Sequence, residues 1–131
     1  MTDAPFPIER LRKRPEFLAC AKGPACARGA VLVQALPRGD DAPLVRAGFT
    51  ATRRIGGAVV RNRAKRRLRE AARLLLPQYA HPGVDYVFIA RSGVTARPWS
   101  RLLDDMKNAL VRLGAESDRR AGDTAPAPSS V

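Results

Sequence analysis

The chain has 131 residues, a length that suits one domain with a single modest core. Apolar residues make up 45% of it, which excludes a wholly disordered polybasic protein. Its 24 lysines and arginines against 12 acids give a net charge of +12, and such an excess in a small domain indicates a polyanionic partner, most commonly nucleic acid. A membrane surface fits less well, because no lipidation motif and no apolar run of about twenty residues occurs.

The N-terminal sequence MTDAPFPIER lacks the apolar segment of a secretory signal, so we expect a cytoplasmic protein. Residues 1–9 are expected to form a flexible leader. Cys20 and Cys26 alone are too few for a zinc site of three or four protein ligands, and only His81 elsewhere could add a soft ligand, so we predict two free thiols. We expect no cofactor bound by protein side chains.

The first predicted elements are a helix and a strand. The helix begins near Pro15 and ends at Gly23-Pro24. Its apolar residues recur at helical spacing: Phe17, Leu18 and Ala21. The compact apolar run at 29–36 predicts a strand, and the composition of residues 37–43 predicts a turn.

The next segment, LVRAGFTAT, alternates between apolar and polar residues. One face carries Val45, Ala47, Phe49 and Ala51, and the other carries Arg46, Gly48, Thr50 and Thr52. Such alternation predicts an antiparallel strand with one side on the core and one open, polar side. The open side leads into Arg53-Arg54.

A helix of about twenty residues is predicted between Gly56-Gly57 and Pro77. One apolar stripe runs along it: Val60, Ala64, Leu68, Ala71, Ala72 and Leu75. The segment RNRAKRRLRE at 61–70 carries six basic residues and one acid, so positive charge covers nearly all of the remaining surface. Because like charges one turn apart repel, this helix favours an anionic partner, with a solvated helix face as the alternative.

The C-terminal third is predicted to contain a strand and a helix. Residues 84–90, VDYVFIA, are apolar on both faces after Asp85 and indicate a central strand. An amphipathic helix is predicted to begin near Ser100 and to end at Gly114. The tail at 115–131 has no periodicity and is expected to be disordered. The pattern predicts an α+β domain with helices packed on a sheet.

No convincing catalytic set is visible in these residues. His81 lies in a predicted turn, where a lone histidine is more often structural or solvated than catalytic. Asp104 and Asp105 diverge by about 100° on a helix and hardly share one metal ion. Gly56-Gly57 is only a pair and not a phosphate-binding loop. We therefore predict no catalytic residue and no metal ligand.

The segment GFTATRRIGGAVVRNRAKRRLREAAR resembles the signature of the bacterial ribonuclease P protein subunit. That family has a small-residue strand, two basic residues, Ile-Gly-x-Ala-Val, Arg-Asn-Arg and a basic helix. The resemblance covers about residues 10–113 and implies a small S5-like α+β domain over residues 10–114. Helices would pack a four-stranded sheet, with a left-handed βαβ crossover through the basic helix.

The resemblance also implies a function. Members of the family are subunits of a ribonucleoprotein endonuclease whose catalytic RNA, with magnesium ions, removes the 5′ leader of precursor tRNA. The implied partners are that catalytic RNA and precursor tRNA, and the protein is expected to be monomeric. The alternative is a ribosome-associated or structural RNA-binding protein with no role in cleavage. A third possibility, a hydrolase acting alone, lacks a catalytic set.

The resemblance assigns two groups of residues. The implied contacts to the catalytic RNA are Arg61, Asn62, Arg63, Lys65, Arg66 and Arg69. The implied leader cleft consists of Phe17, Gln34, Thr50, Arg53 and Arg54. The family often has aromatic residues where this chain has Ala21 and Gln34, so leader binding should depend more on charge and on Phe17. Core packing for Phe17 and a helix-capping role for Asn62 remain the alternatives.

Overall fold

The residues that the structure describes include five strands, which form one mixed sheet. In this computed structural model the backbone is described for residues 5–124 and the side chains for residues 5–115. The strands are Ile8–Arg10 (β1), Ala25–Arg28 (β2), Val31–Pro37 (β3), Val45–Thr50 (β4) and Val84–Ala90 (β5). Their order in the sheet is β1-β4-β5-β3-β2. The helices are Arg14–Ala21 (α1), Ala58–Tyr79 (α2) and Trp99–Thr124 (α3), with a short 3-10 helix at Arg53–Ile55.

Two features of the sheet differ from the sequence prediction. β4 is parallel to both β1 and β5, so the predicted antiparallel pairing of this strand is wrong. The β4–β5 pair is parallel because α2 carries the chain from the end of β4 back to the start of β5. The predicted four-stranded sheet is also wrong, since β1 adds a fifth strand at the edge. The predicted α+β class and the βαβ crossover through the basic helix are confirmed.

One face of the sheet carries the main core beneath α2 and α3. Alternate strand residues point into it, and Phe49 and Phe88 stack with ring centroids 5.4 Å apart. Five of the six residues in the predicted apolar stripe of α2 are buried, and Val60 is half-buried; the buried ones are Ala64, Leu68, Ala71, Ala72 and Leu75. α3 adds five more: Leu102, Met106, Ala109, Leu110 and Leu113. These contacts fix which side of α2 faces outward.

A smaller core lies on the opposite face beneath α1. Leu11, Cys20 and Val87 form its centre, and Phe17 packs against them. Both cysteines are free thiols, as predicted. Burial, with a smaller contribution from the charge of Asp85, raises the pKa of Cys20 to about 11. This face is only partly covered, because α1 has eight residues; we call it the open face.

The two long helices extend beyond their predicted ends. Pro77 lies inside the last turn of α2, where the Ala80 N–H still donates to the Leu76 carbonyl. α3 continues through Gly114 to Thr124, so the predicted stop is wrong. A Cβ on Gly114 would lie 2.6 Å from Nε2 of His81, so this glycine permits close packing and does not cap the helix.

The termini also differ from the predicted domain boundaries. Phe6 is buried in the main core and residues 8–10 form β1, so the predicted flexible leader is wrong from residue 6 onward. Residues 115–124 are helical where a disordered tail was predicted. Residues 1–4 of that leader and 125–131 of that tail lie outside the described residues. Within the described part, no helix is both long and apolar enough to cross a membrane.

Candidate RNA-binding surfaces

The six predicted contacts to the catalytic RNA lie together on α2, and we call this surface the basic face of α2. Asn62, Arg63 and Arg66 are exposed, whereas Arg61, Lys65 and Arg69 are half-buried at its margins. Within residues 5–115, the five cations of this face form no ion pair. The face therefore presents positive charge that the described part of the chain does not neutralise.

Two side chains on α2 have surroundings that the sequence did not predict. The Nε atom of Arg61 is buried and has no hydrogen-bond acceptor among the described residues. Arg67 Nη1 donates to the Val94 carbonyl at 2.6 Å, and its guanidinium lies 5.6 Å from the ring centre of Trp99. Arg67 thus tethers α2 to the segment before α3, while the preceding Arg66 is exposed.

Asn62 does not cap the helix. α2 begins at Ala58 with Gly57 in the capping position, which places Asn62 beyond the first turn with its side chain exposed. The capping alternative is excluded by this position. Asn62 remains available on the basic face as a neutral hydrogen-bonding group.

The open face is organised by cross-strand rows of residues on β3, β5 and β4. From one end to the other, these rows are Leu36–Asp85–Arg46, Gln34–Val87–Gly48 and Leu32–Ile89–Thr50. α1 packs over the first row and reaches the second through Phe17. The third row lies beyond it, and its side chains are half-buried.

Gly48 determines how closely Phe17 approaches the sheet. A Cβ at this position would lie 2.5 Å from both Cε1 and Cζ of Phe17, a distance that no real contact tolerates. The ring therefore lies directly on the backbone of β4 while remaining half-buried. Phe17 is both a packing residue of the smaller core and a partly exposed aromatic at the edge of the open face.

A buried charge network fixes α1 in this place. Asp85, 3% exposed, accepts hydrogen bonds from Arg38 Nη1 at 2.8 Å and from Arg46 Nε and Nη2 at 2.8 and 2.6 Å. Arg46 also pairs with Glu16 on α1, next to Phe17. A buried carboxylate is tolerated only when it is paired in this way. The opposite charges of Arg46 and Asp85 on two predicted strands were a signal of this network in the sequence. The two residues could be paired only once it was known that their strands are neighbours in the sheet.

Three of the five residues predicted to form the leader cleft lie together at the exposed end of the open face. Arg53 and Arg54 are exposed in the short 3-10 helix directly after β4, next to Thr50. A pocket there is lined by Thr52, Arg53, Arg54, Ile55, Ile89, Ala90, Arg91 and Ser92. Gln34 lies two strands away in the middle row, half-buried. Arg91 is an additional exposed cation that sequence reasoning did not identify.

Asp105 and the backbone of His81, both outside these surfaces, have structural partners. Asp105 is buried, pairs with Arg97 through two hydrogen bonds of 2.9 and 3.0 Å, and accepts the Ala30 N–H. The backbone N–H of His81 donates to the hydroxyl of Tyr86. Over the described residues, no group of three or more His, Cys, Asp or Glu side chains could hold a metal ion.

A family model described as Ribonuclease P matches residues 7–114. The chain belongs to the ribonuclease P protein family. A ribonuclease P protein component of Caulobacter vibrioides is 64% identical over 121 residues, covering 91% of this chain and 81% of the relative. Another ribonuclease P protein component, from Ruegeria pomeroyi, is 51% identical over 110 residues, covering 82% and 88%.

Solved structures of ribonuclease P proteins have the same fold. The protein from Thermotoga maritima superposes with a TM-score of 0.66 at 28% identity, covering 79% of this chain and 96% of that one. The Staphylococcus aureus protein gives a TM-score of 0.67 at 22% identity, covering 79% and 94%. The second match supports the fold alone.

Proposed function

We propose that this chain is the protein subunit of a ribonuclease P ribonucleoprotein that removes the 5′ leader of precursor tRNA. The observation that carries the proposal is the basic face of α2, whose cations are unpaired within the described chain. Family membership indicates that the chain is a subunit of ribonuclease P, and the exposed cations provide a surface that fits the RNA of this enzyme.

The basic face of α2 binds the catalytic RNA in this proposal. Arginine offers a planar set of donors that fits phosphate oxygens, and Asn62 can bond phosphate or sugar. Because the apolar stripe fixes the rotation of α2, these groups are presented on a rigid element.

The open face binds the single-stranded leader. Phe17 supplies a partly exposed ring, Arg53 and Arg54 supply charge, and Thr50 supplies a hydroxyl. Single-stranded nucleic acid is commonly bound by such a combination of charge and stacking. Ala21 is exposed and Gln34 is half-buried. Neither side chain is aromatic, so neither adds a ring on which a base could stack. Charge and Phe17 therefore carry most of the interaction.

The chemical step belongs to the RNA in this proposal. Magnesium ions held by the catalytic RNA would activate the water that attacks the phosphodiester. The protein's side chains neutralise phosphate charge, orient the leader and hold the two RNAs together. Substitution of His81 should accordingly leave the chemical step nearly unchanged.

Reconstitution tests the proposal. The purified chain, the ribonuclease P RNA of the same organism and a precursor tRNA would be combined at a magnesium concentration where the RNA alone cleaves slowly. We expect cleavage at the mature 5′ end only when both subunits are present. Binding of the RNA without stimulated cleavage would instead indicate a structural RNA-binding protein, and cleavage without the RNA would indicate a nuclease acting alone.

A further inference from the structure

Trp99 is a partly exposed aromatic residue beside the basic face of α2. It is the single tryptophan of the chain, it begins α3, and 38% of it is accessible to solvent. The guanidinium of Arg67 lies over its ring at 5.6 Å from the centroid, within the range of a cation–π interaction. Proteins bind single-stranded RNA with aromatic rings that stack on its bases and with cations that contact its phosphates. An accessible indole next to cationic side chains provides both.

The position of the ring is fixed by its surroundings. Arg67 cannot swing freely, because its Nη1 atom donates to the Val94 carbonyl. Val94 is itself buried at 1% exposure, and Arg97 pairs with the buried Asp105. The segment before α3 is therefore anchored at several points, and the indole is presented without the entropy cost of ordering a loop.

The charge around the ring selects the kind of partner. Arg63 lies one turn before Arg67 on α2 and is exposed, and Arg66 is also exposed. Both belong to the basic face, and neither has an ion-pair partner among residues 5–115. A ring that lies against Arg67, with unpaired cations within one turn of Arg67 on α2, fits a base whose flanking phosphates contact those cations.

We propose that Trp99, held in place by Arg67, stacks on an unpaired base of the catalytic RNA. The RNA-binding surface would then extend from the basic face of α2 onto the start of α3. This inference rests on the proposed function, because it concerns the same RNA partner.

The single tryptophan makes the proposal directly measurable. The full chain would be titrated with the ribonuclease P RNA while its tryptophan fluorescence and its RNA binding are followed in parallel. A stacked base quenches indole fluorescence, so we expect quenching that saturates at the same RNA concentration as binding. A single-stranded leader oligonucleotide, which should occupy the open face, should not produce this quenching.

Variants separate stacking from charge. Trp99→Leu should weaken binding of the RNA by about 5- to 150-fold, whereas Trp99→Phe should retain most of the affinity. The salt dependence should be unchanged in Trp99→Leu, because no charge is lost, while Arg63→Ala should lower the slope by about 0.7–0.9. Val111→Ala, at a half-exposed apolar position on α3, is the matched control and should bind normally.

Three results would overturn the inference. Normal RNA binding without quenching, together with normal binding by Trp99→Leu, would leave the proposed function intact and reject stacking. Equal quenching by the polyanion heparin, which has no bases, would show a purely electrostatic effect. Absence of any RNA binding would reject both this inference and the proposed function.

Discussion

Tyr86 is a single polar side chain whose pKa is changed by its burial in this fold. It is 2% exposed on the central strand, and its hydroxyl accepts the His81 N–H at 2.9 Å. Burial raises the pKa of Tyr86 to about 12, and burial likewise raises that of Cys20 to about 11. Both groups hold their protons more tightly in the folded chain than in the unfolded chain, where their pKa values are near 10 and 9.0.

The first prediction concerns alkaline stability. Because the pKa of Tyr86 is higher in the folded chain than in the unfolded chain, its protonated hydroxyl should contribute to the free energy of unfolding in full below pH 10. That contribution should be lost as the pH rises from 10 to about 12. This loss is about 3 kcal/mol at most. Urea unfolding at a series of pH values should show a shallower decline over this window in Tyr86→Phe than in the wild type. Identical declines in both proteins would contradict this explanation.

At the scale of elements, α2 was the most predictable part of the chain. Its 22 residues repeat the apolar stripe often enough to define both the helix and its outward face. β1 and β2 have three and four residues, too few for any periodicity, and their partners lie on other strands. The predicted helix ends at Pro77 and Gly114 were wrong because neither residue acts as a terminator there.

The second prediction concerns the charge on α2. Arg63 and Arg66 are exposed and unpaired within residues 5–115, so replacing both with Ala should remove two phosphate contacts without disturbing the core. The slope of log affinity against log salt for the catalytic RNA should fall by about 1.4–1.8. Thermal stability should be unchanged or slightly raised, because like-charge repulsion is relieved.

Lys22→Ala combined with Lys107→Ala is the matched control for this variant. Both lysines are exposed, Lys22 directly after α1 and Lys107 on α3, and the double variant loses the same net charge. A reduced slope only in the α2 variant would locate the phosphate contacts on α2. Equal reductions in both variants would mean that overall charge, and not the basic face of α2, determines binding.

At the scale of the whole molecule, the sheet separates the two proposed RNA surfaces. α2 and α3 cover one face, while α1 and the leader cleft lie on the other, and the Arg53–Ile55 turn joins β4 to α2. Family resemblance located the candidate residues in the sequence. It did not predict the ion-pair network around Arg46 and Asp85 that holds α1 over the sheet, because the paired side chains lie 30 to 47 residues apart in the chain.

The preference of the holoenzyme for precursor over mature tRNA tests this two-surface account most directly. It would be measured as the ratio of the two affinities at saturating protein, so that only the leader differs. Phe17→Ala should lower the ratio, while Leu18→Ala, at the exposed neighbouring position on α1, and the Arg63/Arg66 variant should leave it unchanged. Equal weakening of both substrates by Phe17→Ala would show that Phe17 is only a core residue and would contradict the assignment of the open face to the leader.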